Sequence, residues 1–311
     1  MKSQKEIIVW RFLDGKIGHE KQSLALVNFL KLEIKTKLFN ICINNFIIFL
    51  IKLKKLKKLP KPDLIIGVGH KVHLSVFIAK YIFEGKSILI MKPTLPVSWF
   101  DLCIIPDHDQ YHGKGLIYKI KGALCDNENQ EKKDPNKGLI LIGGISKNLI
   151  WNDSFILKQI TQIVIKNPLI KFILSTSRRT PKNFILKLEQ LDIKNLLITT
   201  PEDQESDWLK KQMSFSKYSW ITEDSISMIY ESLTSGQLVG ILSLSEDNED
   251  NKKRESIKIL KKDGWVFYDQ DGNYQNKNKL KIFPNEAKRC AIWIKQKFFS
   301  ANQFKKVKKD E

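Results

Sequence analysis

The sequence predicts an α/β protein with two Rossmann-like, doubly wound lobes and a C-terminal helix that returns to the N-terminal lobe. Apolar runs of strand length alternate with segments of helical periodicity along most of the chain. The 311 residues exceed what one hydrophobic core usually organises. A polar stretch at 126–137, DNENQEKKDPNK, interrupts the alternation as a linker would. We therefore predict an N-terminal lobe at 1–130, a C-terminal lobe at 131–280, and the returning helix with a basic tail at 281–311.

The first lobe is predicted to carry helices between parallel strands. Apolar residues recur every three or four positions in His19–Leu30 and Val72–Phe83, so each segment can cover one face of a sheet. The expected strands are Ile7–Phe12, Leu64–Gly67, Ser87–Met91 and Leu102–Ile105.

The second lobe repeats the pattern after the linker. Its expected strands are Gly138–Ile142, Phe172–Leu174, Leu196–Thr199, Trp220–Thr222 and Leu238–Leu242. Between the last two strands, Asp224 or Ser225 is expected to supply the N-cap oxygen of a helix whose first N–H groups attract a phosphate. Glu231, six residues after Ser225, could then accept hydrogen bonds from a ribose. An ordinary α/β unit with a solvated Glu231 fits the same spacing.

Charge limits the possible partners. The formal net charge of +19 is uneven: Lys and Arg outnumber Asp and Glu by 21 to 11 in residues 1–130 and by 17 to 7 in residues 251–311, whereas residues 131–250 hold 15 against 16. An anionic partner is therefore expected to meet the first lobe. Aromatic residues do not interleave with the basic ones, so no nucleic acid is expected.

A basic, apolar segment at 44–62 leaves two interpretations open. The run Phe46–Ile51 leads into five lysines, Lys52, Lys54, Lys55, Lys57 and Lys58, and the apolar positions follow helical spacing. The helix could lie on an anionic membrane, assisted by the lysines of 305–309, or it could be a core helix with solvated lysines. It is too short to span a bilayer, which needs about 20 apolar residues.

Cysteine spacing and the N-terminal sequence indicate the compartment. The four cysteines show no CxxC or CxH spacing, which argues against a zinc knuckle or a disulfide framework and fits a reducing compartment. The polar start of the chain and its short first apolar run do not resemble a secretory signal. We expect a cytoplasmic protein, with a peripheral position on the inner face of the membrane as a further expectation.

Six motifs follow one another in order where predicted strands end. They are DGKIGHEKQ at 14–22, GVGH at 67–70, IPDHD at 105–109, GGISK at 143–147, STSRRTP at 175–181 and TEDSISM at 222–228. Together they resemble the elongated-mitochondria (mitochondrial fission factor) family over nearly the whole chain. The resemblance implies an architecture similar to GT-B glycosyltransferases.

The resemblance implies one of two functions. One is a glycosyltransferase that moves a sugar from a nucleotide-sugar to an envelope-associated acceptor, with the nucleotide-sugar as substrate and with neither cofactor nor metal. The other is a non-catalytic adaptor of the mitochondrial-fission-factor type acting at a membrane. A third function, epimerisation of nucleoside-diphosphate-sugars, is disfavoured because the chain has neither GxGxxG after the first strand nor a Tyr-x-x-x-Lys motif.

A transferase needs a base for the acceptor hydroxyl, and the first lobe offers two candidates. The resemblance places His19 near the acceptor, with Asp14 or Glu20 to orient it, although a structural hydrogen bond would also explain this histidine. Asp107 is the second candidate base. The expected acceptor-side residues are Asp14, Lys16, Gly18, Gly69 and His70. A metal held by Asp107, His108, Asp109 and His112 is not expected, because no recognised ligand spacing fits.

The second lobe offers the groups that a leaving nucleoside diphosphate requires. Arginine guanidinium groups can bind a diphosphate with paired hydrogen bonds, serines add donors, and glycines let the backbone approach a ligand. A solvated Arg pair and a tight turn are the alternative explanations. The expected nucleotide-binding residues are Gly143, Gly144, Ser146, Ser175, Ser177, Arg178, Arg179, Asp224, Ser225 and Glu231.

Overall fold

The computed structural model describes residues 6–300 except 44, 108, 110, 112, 130–131, 147–148, 206, 247–251 and 269–282. These residues form two compact units. One unit holds the described residues through Asp126 together with those from Pro284 onward, and the other spans Asn127–Phe283. The basic tail lies outside the described residues, as do His108 and His112.

The first unit is built on a parallel sheet of six described strands. Their order in the sheet is β2-β1-β3-β4-β5-β6. The strands are β1 (Ile7–Leu13), β2 (Thr36–Cys42), β3 (Leu64–Val68), β4 (Lys86–Ile90), β5 (Leu102–Pro106) and β6 (Ile117–Ile120). The central strands are apolar and buried on both faces, as expected when helices cover each side of a parallel sheet.

Helices cover both faces of this first sheet. The helices are α1 (Ile17–Glu33), α2 (Phe46–Leu56), α3 (His73–Phe83) and, from the end of the chain, α9 (Glu286–Phe299). Buried side chains of α1 and α9 share one core with the strands, whereas those of α2 and α3 share the core on the other face. The predicted return of the C-terminal helix to the first lobe is therefore confirmed.

Helix α9 is anchored at its first residue. The Glu286 carboxylate is buried, accepts the Lys121 backbone N–H at 3.1 Å, and pairs with Arg289 at 2.8 Å. Asn285 caps the helix by accepting the Lys288 N–H at 2.9 Å. Burial raises the pKa of Glu286, while its hydrogen bond to Lys121 and the charge of Arg289 oppose that shift.

The second unit repeats the architecture. Its parallel sheet has the order β12-β11-β10-β7-β8-β9 among the described strands. The strands are β7 (Asp134–Leu141), β8 (Lys171–Ser175), β9 (Leu196–Thr199), β10 (Ser216–Thr222), β11 (Leu238–Leu242) and β12 (Val266–Tyr268). The helices are α4 (Asp153–Lys166), α5 (Lys182–Glu189), α6 (Trp208–Phe215), α7 (Ile226–Thr234) and α8 (Lys252–Lys262). The predicted pair of Rossmann-like, doubly wound lobes is confirmed.

Two features of the sheets differ from the prediction. The sequence analysis missed the edge strands β2 and β12 and the short strand β6. The predicted linker at 126–137 was too long, because β7 begins at Asp134, which pairs with Ser216 of β10. The first residues of β7 are polar and largely exposed, and backbone pairing rather than side-chain burial makes them a strand.

Candidate active site

The loop after β1 holds an aspartate and a histidine in direct contact. Asp14 Oδ2 lies 2.7 Å from His19 Nδ1, and Asp14 Oδ1 accepts the Lys16 backbone N–H at 3.1 Å. The Asp14 side chain is wholly buried, whereas that of His19 is 18% exposed. With Asp14 ionised, Nδ1 is the donor in this bond, so the lone pair of the neutral ring is on Nε2. Such a nitrogen can accept a proton.

The turn after β3 packs directly against this pair. Gly69 has φ +86°, and a Cβ there would meet His19 Nδ1 at 2.4 Å and Asp14 Oδ2 at 2.7 Å. Only glycine therefore fits both the backbone conformation and the space beside the histidine ring. His70 follows as an exposed residue. The structure thus brings Asp14, His19 and Gly69 together at the carboxyl edge of the first sheet.

Three other first-lobe candidates take different positions. The Glu20 backbone carbonyl accepts from the Arg11 guanidinium at 3.3 Å, and Asp14 rather than Glu20 orients His19. Gly18 lies in the first turn of α1 with open space around it. Asp107 is exposed at the end of β5, where its charge contributes to raising the pKa of Glu286. It therefore lies towards the start of α9 and takes no part in the Asp14–His19 hydrogen bond.

His73 is a buried histidine that the sequence analysis did not single out as a site residue. Its Nδ1 accepts the Thr94 backbone N–H at 3.3 Å, which fixes the loop after β4. Burial, together with the nearby His70 and His19, lowers the pKa of His73 from 6.5 to about 4. This ring is therefore neutral at pH 7.

In the second unit, the carboxylate of Asp224 joins three loops at the carboxyl edge of the sheet. Its Oδ2 accepts from the Gly144 backbone N–H at 3.1 Å, from Arg179 Nη2 at 2.9 Å and from the Ser225 hydroxyl at 3.1 Å. These donors follow β7, β8 and β10 respectively. The Asp224 side chain is wholly buried, whereas that of Arg179 is 50% exposed. Asp224 therefore holds Nη2 of a half-exposed guanidinium whose Nη1 donates to the Ile145 carbonyl oxygen at 3.4 Å.

The two glycines after β7 are required by this packing. A Cβ on Gly143 would meet the Asp224 carboxylate at 2.3 Å, and one on Gly144 would meet the Arg179 carbonyl oxygen at 2.1 Å. The Ser177 hydroxyl donates to the Gly143 carbonyl and so fixes the same loop. Close packing between loops accounts for both glycines. This structural explanation resembles the tight turn that the sequence analysis left open as an alternative to ligand binding.

The start of α7 differs from the expected N-cap. Ser225 is the N-cap residue, but its side chain makes no capping hydrogen bond, and Asp224 points to Gly144 and Arg179 instead. The expectation of an N-cap oxygen from either residue was therefore wrong. The Ser225 side chain therefore does not occupy the first N–H groups of α7, which favours an anion at this helix start. Glu231 follows on α7 as a half-buried residue.

The remaining predicted nucleotide residues divide into exposed and interior groups. Arg178 is exposed and makes no hydrogen bond or ion pair with the described residues. Ser175 is buried, where its hydroxyl accepts from Gln204 at 2.8 Å. The Ser146 hydroxyl accepts from Lys253 Nζ at 2.7 Å. Ser175 therefore supports the loop after β8 from the protein interior.

Sequence reasoning missed a pair of basic residues on α8. Arg254 forms two hydrogen bonds of 2.7 Å with the Glu223 carboxylate, and both side chains are buried. Lys253 donates to the Asp224 carbonyl oxygen at 2.9 Å as well as to Ser146. The sequence offered one indication of this contact. Two neighbouring acidic residues, Glu223 and Asp224, and two neighbouring basic residues, Lys253 and Arg254, lie in the same predicted lobe.

Helix α2 has a buried side and an exposed apolar side. Phe49 and Leu56 are buried in the core, as the helical spacing predicted. Ile47 and Ile51 are 66% and 73% exposed, however, and Leu50 is 46% exposed. Lys54, Lys55, Lys57 and Lys58 are exposed, and Lys52 Nζ donates to the Cys42 carbonyl. Among the described helices, none is both long enough and apolar enough to cross a membrane.

Comparison with known proteins supports the fold. A 26% identical relative, Uncharacterized protein RP120 of Rickettsia prowazekii (strain Madrid E), aligns over 289 residues, 74% of this chain and 81% of that protein. UDP-GlcNAc 2-epimerase from Methanocaldococcus jannaschii gives a TM-score of 0.56 at 12% identity, over 93% of this chain and 92% of that one. Phytolacca americana UGT2, complexed with UDP-2fluoro-glucose and pterostilbene, gives 0.53 at 7% identity, over 96% and 92%.

These structural similarities show a GT-B-like fold, which agrees with the six ordered motifs. The family is shown by a separate match: the model described as Mitochondrial fission ELM1 matches residues 17–298, most of the chain. The chain therefore belongs to the mitochondrial fission ELM1 family.

Proposed function

We propose that this protein is a glycosyltransferase that uses a nucleotide-sugar donor and an envelope-associated acceptor. The observation that carries the proposal is the buried Asp14 carboxylate bonded to His19, with Gly69 shaped to leave room for the ring. A histidine held in one tautomer by a carboxylate is the arrangement that general-base catalysis requires. The UDP-sugars named with the two structural neighbours, UDP-GlcNAc for the epimerase and UDP-2fluoro-glucose for UGT2, support the choice of donor class.

The reaction assigns His19 one proton transfer. The acceptor hydroxyl oxygen forms a bond to the anomeric carbon of the sugar, and its proton passes to His19 Nε2. The bond from that carbon to the diphosphate breaks, and its electron pair leaves with the nucleoside diphosphate. Asp14 stabilises the imidazolium as it forms. Asp107 is exposed and lacks this support, so His19 is the proposed base.

The donor groups of the second unit are assigned to the nucleotide. The first turn of α7, Arg178 and the exposed side of Arg179 are proposed to bind the diphosphate, because N–H groups at a helix start and guanidinium groups both favour phosphate oxygens. Glu231 is proposed to accept from the ribose hydroxyls. Asp224 is proposed as the residue that positions Arg179 and Gly144.

A binding screen tests the donor assignment. Thermal shift and calorimetry with UDP, GDP, ADP, CMP and their sugars should show one nucleotide that stabilises the wild-type protein. Glu231→Ala and Arg178→Ala should weaken that binding, whereas Glu189→Ala, which removes an exposed carboxylate from α5, should leave it unchanged. No stabilisation by any nucleotide in the wild type would refute the transferase proposal.

Helix α2 supports a second candidate, an adaptor that binds a membrane surface. Its exposed isoleucines lie beside four exposed lysines, and Phe46–Leu56 contains no acidic residue. Apolar side chains can enter the lipid interface while each lysine near an anionic surface adds about 1 kcal/mol of attraction. An enzyme acting on an envelope-associated acceptor would use the same surface, so membrane binding alone does not distinguish the two functions.

Vesicle sedimentation tests this surface. The protein should sediment with vesicles that contain phosphatidylglycerol and remain free with pure phosphatidylcholine. Replacing Ile47 and Ile51 together by Ser should abolish the binding. Ile165→Ser is the matched control, because Ile165 is 67% exposed on α4 in the second unit. Equal sedimentation of the wild type, the double variant and the control would refute the assignment of α2 as a membrane-binding surface. In the separate nucleotide experiments, nucleotide binding without sugar transfer would favour the adaptor.

A further inference from the structure

The start of α8 is joined to the segment before α7 by the Glu223–Arg254 ion pair and by hydrogen bonds of the adjacent Lys253. Glu223 and Asp224 end the segment after β10, and Lys253 and Arg254 belong to the first turn of α8. Arg254 bonds to the Glu223 carboxylate through Nε and Nη2, each at 2.7 Å. Because the geometry is bidentate and both side chains are buried, this pair fixes the position of α8 relative to β10.

The fixed helix places the ammonium group of Lys253 beside the nucleotide-binding loops. Lys253 Nζ donates to Ser146 Oγ at 2.7 Å and to the Asp224 carbonyl oxygen at 2.9 Å. Ser146 belongs to the loop after β7, and Asp224 directly precedes the N-cap of α7. One lysine therefore bridges the loop after β7 and the start of α7, which carries proposed phosphate donors.

Neighbouring charges also favour an anion here. Burial lowers the pKa of Lys253, Asp224 opposes that shift, and Arg179 adds to it. Lys253 and Arg179 are thus two cations close enough to repel each other, and the buried Asp224 carboxylate acts on Lys253 and pairs with Arg179. The uncapped start of α7 adds partial positive charge. A phosphate group would relieve this repulsion and accept from both side chains.

We propose that Lys253 binds a phosphate of the nucleotide donor and that the Glu223–Arg254 pair holds it in position. The inference rests on the proposed function and extends it, because it assigns a residue of α8 to the diphosphate. Lys253 acts by direct contact. Arg254 and Glu223 act as positioning residues.

Calorimetric titration with UDP, uridine and inorganic pyrophosphate tests the assignment. Lys253→Met should weaken UDP and pyrophosphate binding by about tenfold or more, the usual effect of losing a charged hydrogen bond, and should leave uridine binding unchanged. Lys253→Arg should retain most of the affinity, because it keeps the charge. Lys262→Met is the matched control, since Lys262 is an exposed lysine at the other end of α8.

The positioning pair has its own test. The double variant Glu223→Gln, Arg254→Met removes both charges together and should weaken pyrophosphate binding several-fold, with a smaller dependence on salt than in the wild type. Circular dichroism and the unfolding midpoint establish that the variant is folded.

The results separate this inference from the proposed function. If the wild type binds UDP and Lys253→Met binds it equally well, the role of Lys253 is overturned while the donor site stands. If the wild type binds no nucleotide of the screen and no pyrophosphate, the donor site is overturned and the role of Lys253 with it; if another nucleotide binds, the same titrations are made with that nucleotide in place of UDP.

Discussion

Replacing Gly69 by alanine should destabilise the protein and break the Asp14–His19 hydrogen bond. The backbone of Gly69 has φ +86° and ψ +153°, a region almost confined to glycine, where another residue costs about 1–3 kcal/mol. The added Cβ would also lie 2.4 Å from His19 Nδ1 and 2.7 Å from Asp14 Oδ2, so the ring must move. A buried carboxylate that loses its partner costs about 1–3 kcal/mol more. We therefore expect a loss of about 2–6 kcal/mol in the free energy of unfolding.

Two measurements check this prediction. Urea denaturation gives the free energy of unfolding, and nitrogen NMR of histidine-labelled protein reports the hydrogen-bonded Nδ1–H of His19, which should disappear. Gly18→Ala is the control, because a Cβ at Gly18 meets nothing within 4 Å and alanine favours a helix over glycine by about 0.5–1 kcal/mol. A Gly69→Ala protein with wild-type stability and an unchanged Nδ1–H signal would refute the packing of this turn against His19.

Three further predictions follow from buried groups. Glu223→Gln should cost about 3–5 kcal/mol in unfolding free energy by removing the buried anion that pairs with the Arg254 guanidinium, whereas Glu255→Gln on the exposed side of α8 should change little; equal urea midpoints would contradict the buried pair. Because the folded pKa of His73 lies at about 4, below its unfolded value of 6.5, the unfolded chain binds the extra proton, and stability should fall by up to about 3 kcal/mol as the pH drops through this window. His73→Asn should flatten that dependence in urea titrations at pH 7 and pH 5, and an unchanged dependence would contradict its assignment to this ring. Gly144→Ala should cost at least about 1 kcal/mol, because its Cβ would lie 2.1 Å from the Arg179 carbonyl, which cannot move independently of the β8 loop; a wild-type thermal midpoint would count against this loop packing.

Much of the fold was predictable because buried parallel strands leave a strong signal. The runs Leu64–Gly67, Leu102–Ile105 and Leu238–Leu242 are apolar between polar loops, and the structure places strands there. The edge strand β2 was missed because its burial is partial and its apolar pattern weak. The beginning of β7 was missed because Asp134 and its neighbours join the sheet through the backbone alone.

The candidate site was predictable only where its residues are close in sequence or match a family motif. His19 and Asp14 lie five residues apart, and the helix start between them brings their side chains together. Lys253, in contrast, meets Ser146 across 107 positions, a contact that sequence spacing does not reveal. The choice between Asp14 and Glu20 as the residue that orients His19 also needed the structure. Asp14 precedes His19 by a few residues and Glu20 follows it directly, so sequence spacing allows both.

The most direct test of the central claim is a transfer assay with an envelope fraction and labelled nucleotide-sugars, in which sugar incorporation and nucleoside diphosphate release are measured together. The account predicts equal amounts of both products from the wild type. It predicts a loss of about a hundredfold or more in rate for His19→Gln, with donor binding retained, as removal of a general base entails. Donor binding by the wild type without release of the diphosphate, or full activity in His19→Gln, would contradict the assignment of this protein as a transferase with His19 as its base.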